Sequence, residues 1–130
     1  MREIDGYMLN RLQGALLNEA LRLVGVGIAS AEDVDVAVSH GLGPRWSFMG
    51  PLETIDLNAP EGIADYARRY APMYTAMAHC ENETEPWSEA TVEAVTQARR
   101  ARLALSGLAD RQAWRDRRLL ALASRSLDDT

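Results

Sequence analysis

Asn10 stands in Tyr7-Met8-Leu9-Asn10-Arg11-Leu12, a polar intrusion into the most apolar helical stretch of the chain. Two roles suit it. It can be a buried amide bonded to a neighbouring helix or loop backbone, or an amide facing a cleft and bonding a substrate hydroxyl or carbonyl. An amide donor aimed at an oxygen that gains negative charge stabilises a transition state. Arg45, Trp46 and Phe48 form the second group, inside the glycine- and proline-rich segment 41–51. The segment reads as a loop. Its aromatics either cover a core or wall a pocket, in which Arg45 pairs bidentately with a carboxylate or phosphate.

The rest of the catalytic inventory is thin. All 14 basic residues are arginine, which removes lysine Schiff bases and the Walker-type phosphate lysine. Cys80 is the lone cysteine and the two histidines, His40 and His79, are far apart in sequence, so no metal-ligand spacing arises. His40 follows Ser39 just before a glycine, a helix-end position that suits a cation and does not read as a catalytic base. Cys80 beside His79 reads as a thiol at a helix end. Gly25-Val26-Gly27 and Gly41-Leu42-Gly43 come nearest to a dinucleotide-binding turn. Neither continues to a third glycine or follows a strand, so no cofactor-binding residue is predicted in this chain.

Charge narrows the partners. The formal net charge is −5. Arginines concentrate in 97–125, but Ala and Leu interleave them at helical spacing and Asp110 and Asp116 interrupt them. A solvated helix face is predicted there, and no nucleic-acid binding. The apolar runs are too short to cross a bilayer and the start carries no basic-then-apolar leader, so a cytoplasmic protein without membrane attachment is expected. A single cysteine fits a reducing compartment.

What positions these residues is helical throughout. One domain of 130 residues is expected, interrupted only by an internal loop at 81–87. Leu9, Leu12, Leu16, Ala20 and Leu23 recur at three- and four-residue steps, and Met8, Ala15 and Leu17 widen the stripe. A stripe so wide predicts burial on more than one side, with Gly25 and Gly27 ending the helix. Ser30 to Asp33 resembles a capping box for a short helix that turns Val34, Ala37 and Val38 inward and stops near Gly41. Pro51 suits a first helical turn. A further helix is predicted from about Pro60 to His79, with Pro72 kinking or splitting it. Ser88 caps the next, which carries Val92, Val95, Ala98 and Arg102 on one face, and Gly107 separates it from the last. No alternating strand pattern occurs. The fold class is all-α.

Two segments carry a resemblance. Asp5-Gly6-Tyr7-Met8-Leu9-Asn10-Arg11-Leu12, and Gly41-Leu42-Gly43 leading to Met49-Gly50-Pro51-Leu52-Glu53, are similar to the C-terminal domain of 3-hydroxyacyl-CoA dehydrogenases. Gly-Leu-Gly-Pro-Arg-Trp-Ser-Phe at 41–48, Gly-Pro-Leu-Glu-Thr-Ile-Asp-Leu-Asn at 50–58 and Gln112-Ala113-Trp114-Arg115-Asp116 resemble its lambda-crystallin, L-gulonate 3-dehydrogenase branch. The resemblance covers residues 3–123. It implies a compact all-α bundle of the 6-phosphogluconate dehydrogenase C-terminal-like class, without the Rossmann domain that precedes it in the family. It further implies NAD as cofactor of the complete enzyme but none bound by this chain alone, a homodimer, and a Rossmann-type partner in the same or a separate chain. The Asn matching Asn10 contacts the reacting oxygen in the family, which favours the site reading of that residue. Arg45, Trp46 and Phe48 are expected to shape the acid or acyl end of the pocket. The family's catalytic His and Glu have no counterpart here, so the chain alone is expected to be inert. A non-catalytic helical dimer or interaction module is the alternative.

Overall fold

The protein, described by a computed structural model, has residues 7–80 and 85–128 placed, with side chains at 7–78 and 85–124. Every regular element among them is helical. The all-α expectation holds. The contacts divide the chain into two units, residues 1–93 and 94–130.

In the first unit, helix α1 runs Tyr7–Gly25. Gly27 adopts φ +76°, which lets its N–H reach the Val24 carbonyl while the Ile28 N–H reaches Leu23, both at 3.0 Å. Left-handed glycine and paired back-bonds of this kind close a helix. The wide apolar stripe is not buried as its width predicted, for Leu9 and Leu12 are 74% and 59% exposed. Periodicity shows which face needs cover, and the described residues of this chain do not supply that cover.

Helix α2 spans Ala31–Val36. Its capping box forms as predicted: Asp33 N–H donates to Ser30 Oγ at 3.1 Å, and Asp33 Oδ2 accepts from Ser30 N at 3.0 Å and Oγ at 2.6 Å. Those bonds hold the Asp33 carboxyl below its ordinary range. The predicted stop near Gly41 does not occur, and of the loop predicted at 41–51 only residues 47–50 lie outside a helix. A wide π turn covers Ala37–Leu42 and leads into helix α3, Gly43–Trp46. Pro44 explains the widening, because it has no N–H and its ring would meet the carbonyl four residues earlier in a regular helix. Gly43 fits for a second reason, since a Cβ there would lie 3.0 Å from the Val38 carbonyl oxygen.

Helix α4, Pro51–Leu57, begins on proline as expected. Helix α5, Ile63–Cys80, starts after Gly62, whose φ is +77°. Asp56 Oδ1 accepts the Ile63 N–H at 2.7 Å and thereby hooks the end of α4 to the start of α5. Pro72 lies inside α5 without splitting it. Of the internal loop predicted at 81–87, residues 81–84 lie outside the described residues, and a turn closes through Ser88 N–H to the Glu85 carbonyl. Helix α6, Glu89–Arg102, follows, with the Thr91 N–H capped by Ser88 Oγ at 3.2 Å. Within the first unit α1 packs on α2, α3 on α4 and α4 on α5.

The second unit takes the remainder of α6, a tight turn at Leu105–Gly107 and helix α7, Leu108–Asp128. Arg111 stacks on Trp114 with its guanidinium carbon 3.6 Å from the ring centre, so part of the arginine-rich stretch covers its own aromatic. Among all described residues no hydrophobic side chain is fully buried. The residues that are buried are polar: Thr54, Asp65 and Thr91.

Candidate functional site

Asn10 sits on the first turn of α1, exposed and without a hydrogen-bond partner among the described residues. The reading of Asn10 as a buried amide tied to a neighbouring backbone is not what the fold contains. Its amide is not used to hold the structure. Its neighbours three and four residues away along the helix are Tyr7, Gln13 and Gly14.

Arg45 and Trp46 belong to α3 and Phe48 to the turn that follows. That turn is fastened by Phe48 N–H and Met49 N–H donating to the Arg45 carbonyl at 3.3 and 3.1 Å, and by Ser47 Oγ donating to the Pro44 carbonyl at 2.7 Å. The backbone of Arg45 is thus fixed while its side chain is exposed and forms no ion pair among the described residues. Phe48 is 74% exposed. The aromatics do not pack over a core, which removes the core-cover reading. No hydrogen bond joins Asn10 to this group.

A neighbouring cluster escaped the reading of the sequence. Tyr66 and Tyr74 on α5 share a hydroxyl–hydroxyl bond of 3.0 Å, and the Tyr66 ring lies 4.6 Å from that of Tyr70. The bond to Tyr74 raises the Tyr66 pKa, partly offset by the positive charge of Arg45. Four-residue steps at 66, 70 and 74, holding three of the four tyrosines, were the available signal.

Preceding Tyr66 in sequence, Asp65 is buried and accepts from Arg69 Nε at 2.9 Å, with Arg68 at 3.4 Å and the Glu61 N–H at 3.4 Å. The Arg69 bond holds the Asp65 carboxyl below its ordinary range and raises the arginine in turn. This network anchors the first turn of α5. A cavity of about 260 Å³ is lined by Arg22, Gly25, Ser88 and Thr91 among others, and one of about 250 Å³ lies around Trp114. Neither contains Asn10, Arg45, Trp46 or Phe48.

The donor set does not fit a nicotinamide dinucleotide. Such a site needs a strand, a glycine turn and a helix in sequence. Among the described residues there is no strand, Gly25 ends α1, and Gly41 and Gly43 lie within continuous helical turns. No cluster of His, Cys, Asp or Glu among them could hold a metal ion, and no helix is long and apolar enough to cross a membrane.

Comparison with known proteins places this arrangement. Residues 6–103 match the model of the 3-hydroxyacyl-CoA dehydrogenase C-terminal domain. The chain is 45% identical to lambda-crystallin of Oryctolagus cuniculus over 125 residues, which is 95% of this chain and 39% of that protein. The lambda-crystallin homolog of Homo sapiens is 42% identical over 124 residues, again 39% of its length. L-carnitine dehydrogenase of Nocardiopsis dassonvillei is 33% identical over 98% of this chain and 39% of its own length. The chain spans about two fifths of the length of these relatives. With its all-helical fold and a family match over most of its length, the chain belongs to the 3-hydroxyacyl-CoA dehydrogenase family and corresponds to the C-terminal domain.

Proposed function

We propose that this chain is the substrate-binding and dimerisation half of an NAD-dependent dehydrogenase. When joined to a Rossmann-type half in the cytosol, the pair would oxidise the secondary alcohol of a 3-hydroxy acid of the L-gulonate kind, or of a 3-hydroxyacyl thioester. Asn10 carries the reading. An amide left exposed and unbonded among the described residues is a group that the fold does not use and that a bound oxygen can. Asn10 orients the reacting oxygen, Arg45 receives the carboxylate, and Trp46 and Phe48 close the apolar side. NAD supplies the hydride acceptor, held by the other half. Supporting the homodimer is the face of α1, whose exposed leucines need a partner surface.

The test mixes the purified chain with a Rossmann domain of this family and NAD, and follows NADH formation on L-gulonate and on a short 3-hydroxyacyl-CoA. Turnover is expected only with both halves present, and Asn10→Ala is expected to lower kcat about 100-fold with little change in KM. The exposed apolar faces also suit a helical dimer or interaction module without chemistry. Association with no turnover would favour that second reading.

A further inference from the structure

The second unit contains none of Asn10, Arg45, Trp46 and Phe48, yet it holds the cavity of about 250 Å³ on α7. Leu108, Arg111, Gln112, Trp114 and Arg115 line it. Arg111 lies across one face of Trp114, its guanidinium carbon 3.6 Å from the ring centre. The stack uses the flat of the guanidinium and leaves its in-plane N–H groups unspent. Arg111 has no ion pair among the described residues. Arg115 differs, for Asp116 Oδ1 accepts from its Nε at 2.9 Å and balances its charge. The cavity is left with one unbalanced positive charge, that of Arg111. Stacking also restricts a long side chain in advance, so less freedom is lost when an anion binds. Beside the charge the walls are apolar: the half-buried Leu108 and the ring of Trp114, which is 41% exposed. Tryptophan and arginine are among the residues on which binding energy most often concentrates.

We propose that this cavity binds a small monocarboxylate with an apolar body, held by Arg111 through two parallel N–H bonds and by Trp114 and Leu108 through contact. Size sets the class. At about 30 Å³ for each heavy atom, as in liquid water, the cavity takes about eight of them. That admits an acid the size of benzoate and excludes a nucleotide. One unbalanced positive charge calls for one negative charge, and a planar carboxylate meets the guanidinium edge in two places. The residues of this site are separate from those proposed for the substrate, and it goes beyond the dehydrogenase reading without depending on it.

Two-dimensional NMR of the full chain tests it, since the three tryptophans give three indole N–H signals and Trp114→Phe identifies one of them. Benzoate is expected to shift the Trp114 signal with a dissociation constant of about 1 mM, an ordinary strength for about nine heavy atoms. Benzamide keeps the ring without the charge, and acetate keeps the charge without the ring. Each should bind at least about 10-fold more weakly than benzoate, a comparison that needs no variant. Arg111→Gln should bring benzoate down to the benzamide level. Arg117→Gln removes the same charge from α7 outside the cavity and should leave benzoate binding as it was. Unaltered circular dichroism will show that both variants fold. Equal weakening by the two variants would mean diffuse charge and overturn the site. So would acetate binding as well as benzoate, a shift confined to Trp46 or Trp87, or no shift at about 10 mM benzoate. Turnover with a Rossmann half is read separately and bears on none of these outcomes.

Discussion

The indole N–H of Trp87 donates to the side-chain oxygen of Asn18 at 2.8 Å, tying the turn before α6 to the middle of α1 across 69 residues of sequence. Both side chains are exposed, so the bond competes with water and its net worth is small. Asn18→Ala is expected to lower stability by about 0.5–1 kcal/mol in urea titration and to red-shift Trp87 fluorescence. An unchanged Trp87 spectrum would mean the bond is not populated.

Gly25 ends α1 against Thr91 on α6. A Cβ at position 25 would lie 2.6 Å from Thr91 Oγ1, itself held by Ser88 Oγ at 2.9 Å. Gly25→Ala should therefore destabilise by about 1–3 kcal/mol despite alanine's better helix propensity. Adding Thr91→Ala should return part of that loss, giving a coupling of about 1 kcal/mol in a double-mutant cycle.

Two other glycines separate space from conformation. Gly62 holds φ +77°, and a Cβ there would meet Asp56 Oδ1 at 2.7 Å, the oxygen that accepts the Ile63 N–H. Gly62→Ala is expected to cost more than about 1 kcal/mol. Gly14 lies inside α1 with nothing within 4 Å of its Cβ position. Gly14→Ala is expected to stabilise by about 0.5–1 kcal/mol. Thermal denaturation of the two variants should move in opposite directions.

Asp65 makes stability depend on pH. Its folded-state pKa is lowered from the ordinary 3.8 by the Arg69 bond. A group lowered on folding contributes fully above its unfolded pKa, and the contribution disappears as pH falls through the lowered value. The urea midpoint should hold level from neutrality down to that ordinary value and fall below it. Asp65→Asn should be less stable at neutral pH and lose less on acidification. Asp33, lowered by its Ser30 bonds, adds to the same acid limb.

Exposed Leu9 and Leu12 on α1 predict association. Leu9→Glu with Leu12→Glu should raise the dissociation constant of a homodimer at least about 10-fold, read by sedimentation, while circular dichroism stays the same. Unchanged sedimentation would remove this face from the interface.

Local signals in the sequence carried most of the helix ends. Gly27, the Ser30 box, Pro51 and Ser88 act through bonds within a few residues of themselves, and a pattern can report such bonds. Pro44 misled for a related reason. Among glycines it reads as a loop, whereas a widened turn absorbs it and carries the helix onward. The burial of α1 was illegible because a stripe cannot say which surface answers it. At the site, Asn10 and Arg45 stood out as polar groups in odd company. The tyrosines passed unnoticed because one side of a helix explains them equally well until the hydroxyls are seen joined.

The π turn at Ala37–Leu42 makes residue count a geometric setting. Each residue advances a regular helix by about 100°, so removing one from the wide turn would swing everything beyond it by roughly that angle. Arg45 follows immediately on α3, and its bearing is set by the length of the segment rather than by any side chain in it. Substitutions in 37–42 can then be mild where a single deletion would turn the arginine away. Position along the chain, and not only chemistry, aims the charge.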